Sequence, residues 1–165
     1  MTSTDPHPIF DYPDFYMVPM DGLRQYRIKM VYHDRIFAPS ASESELIDRI
    51  WKKLLSEDKN RILYDGPMVR LLSFSMESGI PVVEMERTSY RVFCGTNRRI
   101  PRAADEDCAD GIGICGAVVT GDNKIVVGRR SEKVYEYPHY YHVIGGNMDP
   151  DSHRNSDNIP DPFVA

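Results

Sequence analysis

The chain has 165 residues, 41% hydrophobic and 27% charged, which suits one ordinary domain, or one small domain and part of another. A net charge of −5 argues against a general nucleic-acid binder, which needs a basic face, and no apolar run approaches the roughly 18 residues of a membrane span. Cys94, Cys108 and Cys115 form no C-x-x-C pair and fit free thiols, and the acidic start MTSTDPHPIFDYPDF lacks the basic and apolar regions of a signal peptide, so a cytoplasmic protein is expected.

In chain order, Pro6, Pro8, Pro13 and Pro19 forbid a regular helix over residues 1–23 and predict an extended arm. Tyr26 to His33 reads as a strand. The stretch from Ser40 to Asn60 is the clearest helix. Leu46, Ile47, Ile50, Trp51, Leu54 and Leu55 recur on one helical stripe, and Ser40 with Glu43, or Ser42 with Glu45, has capping-box spacing. Trp51 needs no ligand to explain it, because it already sits on that stripe.

Met68 to Met76 and Ile80 to Glu86 read as two strands of a hairpin across Glu77-Ser78-Gly79, with Pro81 marking a strand start or an edge. The segment TSYRVFCGTN predicts a short helical turn stopped at Gly95. Residues 98–110, charged and poor in large apolar groups, read as a linker or a surface helix. Past them, Ile112 to Thr120 and Lys124 to Arg130 predict a second hairpin, and Tyr140 to Ile144 another strand. The proline- and aspartate-bearing tail from Asn147 onward is expected to be poorly ordered.

Few residues suggest chemistry individually. Gly111-x-Gly113-x-x-Gly116 matches a dinucleotide fingerprint, but strand-forming residues follow it, and that motif works only at a helix N-terminus. In Arg129-Arg130-Ser131 the planar guanidinium forks suit phosphate oxygens. Neighbouring strand residues face opposite ways, so only one arginine can reach a given site; a solvated strand end is the plainer reading. Gly145-Gly146 after an apolar strand permits a close backbone approach to a ligand, or marks an ordinary turn. His139 and His142, spaced to opposite strand faces, make a poor metal pair. Cys115, in an apolar run, reads as a small hydrophobe.

The order of these features is more specific than any one of them. ILYDGPMVRL, YRVFCGTN, DGIGICGAVVTGDNKIVVGRRS and HVIGGNMDP follow one another in a way that resembles the Nudix hydrolase superfamily, in particular its UDP-sugar diphosphatases. The resemblance covers Tyr26 to Pro150. It implies an α/β (α+β) fold with three parts: the arm over 1–23, an N-terminal α/β region over 24–100, and the first strands of an incomplete Nudix α/β/α sandwich over 111–165. It also implies Mg²⁺-dependent hydrolysis of a nucleoside diphosphate sugar. Arg129 or Arg130 would contact the diphosphate, Gly145 and Gly146 would bring backbone to the site, and Asn97 would help form the cleft.

In that family the Gly-Gly leads into the box G-x5-E-x7-R-E-U-x-E-E-x-G-U, whose glutamates hold the metal. Counted from Gly146 the box would run past Ala165, and its first glutamate falls on Ser152. Residues 151–162 look like an insertion before the catalytic helix, with Phe163 to Ala165 as that helix's first residues. The expectation is the N-terminal portion of such an enzyme, inactive by itself. The alternatives are a non-catalytic nucleotide-binding or protein-interaction domain on a partial Nudix scaffold, and an unrelated α+β domain.

Overall fold

The computed structural model describes residues 28–57, 61–99, 101 and 103–164; the arm expected over 1–23 lies outside them. Three strands, β1 (Lys29–Ile36), β2 (Pro67–Glu77) and β3 (Ile80–Ser89), form a mixed sheet in the order β1-β3-β2. β2 and β3 are the predicted hairpin, antiparallel from Pro67 opposite Ser89 to Glu77 opposite Ile80. Their link is Ser78-Gly79, with φ of 50° and 81°. Two successive left-handed residues match the twist of the flanking strands, and glycine takes the second position without strain. β1 runs parallel to β3, with Lys29 opposite Val82. A parallel pair needs a long crossover, here helix α1 (Ala41–Glu57) followed by β2. Pro81 comes one residue before that pairing starts.

The predicted helix forms, but its capping box does not close. The Ser40 N–H and hydroxyl donate to the two carboxylate oxygens of Asp107, at 2.7 and 3.0 Å. Glu43 instead accepts two bonds from Arg99 Nη2, at 2.7 and 2.8 Å. Partners distant in sequence have claimed both side chains. Of the apolar stripe, Ile47 is buried, Leu46, Ile50, Trp51 and Leu54 are half-buried, and Leu55 is exposed.

Helix α2 (Tyr90–Thr96) crosses α1 at Ile47. A Cβ at Gly95 would lie 2.7 Å from Ile47 Cγ1 and 3.0 Å from its Cα, so the absent side chain sets the helix spacing. Ile47, Val92 and Ala109 form one core cluster with Phe37 and Phe93 packed on it. Val69, Met85 and Met148 form another, flanked by Met30, Tyr32, Val83, Ile112 and Ile114. Burying such side chains contributes roughly 1.5–3 kcal/mol each.

The charged stretch expected as a linker is tightly held. A short 3-10 turn spans Asp105–Asp107, Ala103, Cys108 and Ala109 are buried, and the Ala109 N–H donates to Thr96 Oγ1 at 3.1 Å. Short backbone bonds then run from Leu71 to Asp110, from Ile112 to Val69 and from Met148 to Ile112.

The remaining strands pair differently from the sequence expectation. β4 (Gly113–Gly116) pairs with β7 (Ile144–Asn147), and β5 (Gly128–Arg129) pairs with β6 (Tyr141–His142). The hairpin expected over 112–130 keeps its turn around Gly121-Asp122-Asn123, a bridge between Val119 and Ile125, and backbone bonds from the Thr120 N–H to Lys124 and from the Val126 N–H to Val118, while its outer ends pair elsewhere. Gly113 and Gly116 lie in a strand, as the rejection of the dinucleotide fingerprint requires.

The tail after Asn147 is ordered, contrary to the composition argument. Met148, Pro150, Pro160 and Asp161 are buried. Arg87 grips Asp151, and the Arg154 guanidinium lies 5.5 Å from the centre of the Tyr32 ring. Asp161 accepts bonds from the Phe163 N–H at its side chain and from the Val164 N–H at its carbonyl, 2.9 and 3.1 Å, with Pro162 between them. Asp followed by Pro is the pattern of a helix N-cap and first turn.

Candidate functional site

A cavity of about 300 Å³ opens where the loop over 131–137 meets the first sheet and α2. Its walls come from Ile62, Tyr64 and Met68 before and in β2, from Tyr90 at the start of α2, and from Arg130, Tyr135, Asn147 and Asp149. Backbone ties build it. The Ile62 N–H donates to the Lys133 carbonyl at 2.7 Å, and Ile62 bridges Val134. Arg98, just beyond α2, holds the loop from the other side. It pairs with Glu136 at 3.0 Å, donates to the Tyr137 hydroxyl at 3.2 Å, and lies 5.2 Å from the centre of the Tyr137 ring. Burial opposes the Arg98 charge, but Tyr137 and Glu136 outweigh it and raise the pKa above its ordinary value.

The two candidate arginines face different surroundings. Arg130 is half-buried and lines the cavity, with its Nε donating to the Glu136 carbonyl at 2.9 Å. Among the described residues that single bond leaves the rest of its fork available. Arg129 is exposed, does not line the cavity, and has a 3.4 Å contact with the His139 carbonyl.

Gly145 and Gly146 lie in β7 against β4 and line a neighbouring pocket of about 580 Å³ with Cys115, His153 and Phe163. Asn147 borders both spaces. A Cβ at Gly145 would meet the Ile114 carbonyl oxygen at 2.4 Å, whereas one at Gly146 would meet nothing within 4 Å. The close approach at Gly145 is therefore to the chain's own β4 strand.

Asn97 sits apart from Arg130, in a groove of about 860 Å³ with Phe74, Phe93 and Asp110. Its amide clasps Asp110, donating to Oδ1 at 2.8 Å and accepting from the Asp110 N–H at 3.1 Å. The structure thus brings Arg130 and the Gly145-Gly146 strand near each other through Asn147, and leaves Arg129 and Asn97 elsewhere.

Sequence reasoning missed the aromatic side of the cavity. Tyr64, Tyr90 and Tyr135 are scattered along the chain with no motif. Tyr90 packs edge-on to Trp51 and stacks on Phe93, at 6.4 and 6.1 Å between ring centres. Burial raises the Tyr90 phenol pKa strongly, and burial likewise pushes the Cys94 thiol up to about 12. Cys94 thus stays protonated and unreactive near neutral pH.

No group of three or more His, Cys, Asp or Glu among the described residues could hold a metal ion. Ser152, where the family's first box glutamate would fall, donates its hydroxyl to Asp149 Oδ2 at 3.0 Å. Asp149 also accepts from the Asp151 N–H. The described residues therefore do not fit a divalent cation by themselves. No helix among them is long and apolar enough to cross a membrane.

The chain is 31% identical over 153 residues to a uridine diphosphate glucose pyrophosphatase of Mus musculus, covering 81% of this chain and 48% of that protein. The protein of the same name from Homo sapiens is 33% identical over 152 residues, 80% of this chain and 49% of its own length. Nudix hydrolase 9 of Arabidopsis thaliana is 26% identical over 151 residues, 77% of this chain and 48% of that protein. No family model matches the chain. The chain spans about half the length of the curated relatives it matches.

Proposed function

For a chain homologous to Nudix hydrolases and resembling their UDP-sugar diphosphatases, we propose a role as the substrate-holding portion of a hydrolase that cleaves the diphosphate bond of a nucleoside diphosphate sugar. The observation that carries this reading is Arg130, which lines a cavity beside Asn147 and, among the described residues, engages only its Nε. A guanidinium fork so placed suits a diphosphate, with charge-assisted bonds of about 1.5–3 kcal/mol. Gly145 and Gly146 place two side-chain-free positions in the neighbouring strand. Asn97, next in sequence to the Arg98 that pairs with Glu136, contributes at a distance by clasping Asp110. Arg129 stays outside the site.

This reading keeps the division into an N-terminal α/β region over 24–100 and a Nudix-like part over 111–165, with the cavity built from both. The divalent cation of the reaction, Mg²⁺ by resemblance, would polarise phosphoryl oxygens and activate water. It would be held by groups outside the described residues, and residues 1–165 alone would be inactive in the cytoplasm or in vitro.

Titration calorimetry with UDP-glucose, with and without Mg²⁺, tests the binding claim, and an assay for released UMP tests the rest. The expected result is binding without turnover. Hydrolysis at roughly 1 s⁻¹ or faster would place the catalytic groups within this chain, and absence of UDP-glucose binding would remove the reading altogether.

A further inference from the structure

Charged and amide groups, Arg130, Glu136, Asn147 and Asp149, make up only part of the lining of the Arg130 cavity. Much of the rest is aromatic and aliphatic: Tyr64, Tyr90, Tyr135, Ile62 and Met68. A diphosphate has no use for such walls, whereas a flat, weakly polar ring gains by stacking on them. Resting on the reading of Arg130 as a diphosphate ligand, we infer that this cavity is the nucleobase subsite, formed chiefly by the region before the Nudix-like part.

Four observations support it. Tyr64 is 71% exposed at the cavity wall, and its ring lies across Gly66, where a Cβ would come within 2.9 Å of Tyr64 Cε2. A large apolar ring held against bare backbone yet left uncovered offers an unused stacking face. Tyr135 has Arg61 on its ring, 5.9 Å from the centre, and Tyr90 packs on Trp51 and Phe93, so each is braced from the side by neighbours that do not line the cavity. Asn147, which lines both this cavity and the Gly145-Gly146 pocket, makes no side-chain hydrogen bond among the described residues. A carboxamide presents a donor beside an acceptor, the pattern that a base edge complements. A volume of about 300 Å³ is at the small end of ligand sites and takes a base and part of its ribose.

Trp51, the chain's single tryptophan, touches Tyr90 and reports on the cavity without lining it. Its fluorescence is followed while residues 1–165 are titrated with uridine, adenosine, ribose 5-phosphate and UDP-glucose. The variants are Tyr64→Ala, Tyr64→Leu and Tyr135→Ala, with Tyr141→Ala, 73% exposed on β6, as control. Circular dichroism checks folding.

At least one nucleoside binds saturably. Each cavity variant raises its Kd roughly tenfold or more, by the usual worth of one base–aromatic stack, and raises that of UDP-glucose similarly. Tyr141→Ala changes neither by more than about twofold, and ribose 5-phosphate is indifferent to Tyr64. Tyr64→Leu keeps the position apolar without a ring, so it decides the matter if Tyr64→Ala fails to fold. UDP-glucose binding without any nucleoside binding, or unaltered by the tyrosine changes, overturns this subsite and leaves the diphosphate reading standing. Nucleoside binding without UDP-glucose binding does the reverse. If neither binds, both fall.

Discussion

Arg87 on β3 holds Asp151, in the turn after β7, through two parallel hydrogen bonds of 2.7 and 2.6 Å. The pair fastens the C-terminal turn region to the first sheet across 64 positions of sequence. Arg87 is the main cause of an Asp151 pKa lowered from 3.8. A carboxylate depressed by folding stabilises above its ordinary pKa, and that contribution is lost as pH falls through the depressed value. The pair is half-exposed, which limits it to about 1 kcal/mol at neutral pH. Asp151→Asn should lower the unfolding midpoint slightly near pH 7, and the gap from the parent should close below about pH 4. Thermal melts of both proteins across that range check this; a constant gap would show that Asp151 does not act by charge.

Glu86 should matter more. Its carboxylate is almost fully buried between Arg70 Nη1 at 2.7 Å and Arg35 Nε at 2.5 Å. Arg70, itself only 11% exposed, is 3.9 Å from the centre of the Phe37 ring and donates to the Cys108 carbonyl. Glu86→Ala leaves a buried guanidinium without its counter-ion and should cost about 3–5 kcal/mol in urea unfolding. Glu86→Gln, which keeps an acceptor, should cost less. Equal losses would assign the effect to the lost charge, which both variants remove.

The paired glycines of β7 separate sharply. Gly145→Ala drives a methyl against the Ile114 carbonyl and the Cys115 Cα, which are backbone atoms with little room to yield. A loss of about 1–3 kcal/mol is expected, the usual cost of overpacking. Gly146→Ala meets open space and should stay within about 0.5 kcal/mol. A stability measurement on the two single variants compares them directly.

For the arginines, Arg130→Ala should weaken UDP-glucose binding roughly ten- to a hundredfold. Arg129→Ala should alter it by less than about twofold at moderate salt. Calorimetric titration of each variant distinguishes them, and equal small effects would leave both as surface charge.

Local structure was legible in the sequence where short-range rules govern it. The α1 stripe, the Ser78-Gly79 turn and the Tyr90–Thr96 helix all announce themselves within a few residues. Long-range partners were not legible. Ser40 turns to Asp107 and Glu43 to Arg99 because those groups arrive from across the fold. The tail has few apolar residues but gains order from Met148 in the core, from Arg87 and from aspartate-capped turns, which a composition argument does not count. The aromatic cavity wall was invisible for the same reason: Tyr64, Tyr90 and Tyr135 become neighbours only when Ile62 reaches Val134.

The parallel pairing of β1 with β3 has a consequence during synthesis. Lys29 finds its partner at Val82, roughly fifty residues later in the chain. At ribosomal rates of about 5–20 residues per second, β1 waits roughly 3–10 s before β3 has been made. During that interval Met30 and Tyr32, later packed against the Val69–Met85–Met148 core, are open to whatever the ribosome exit presents. α1 can form meanwhile from local contacts alone. The nascent chain therefore passes through a helix-first stage with an unmatched apolar strand, the stage at which holding chaperones and aggregation compete for it.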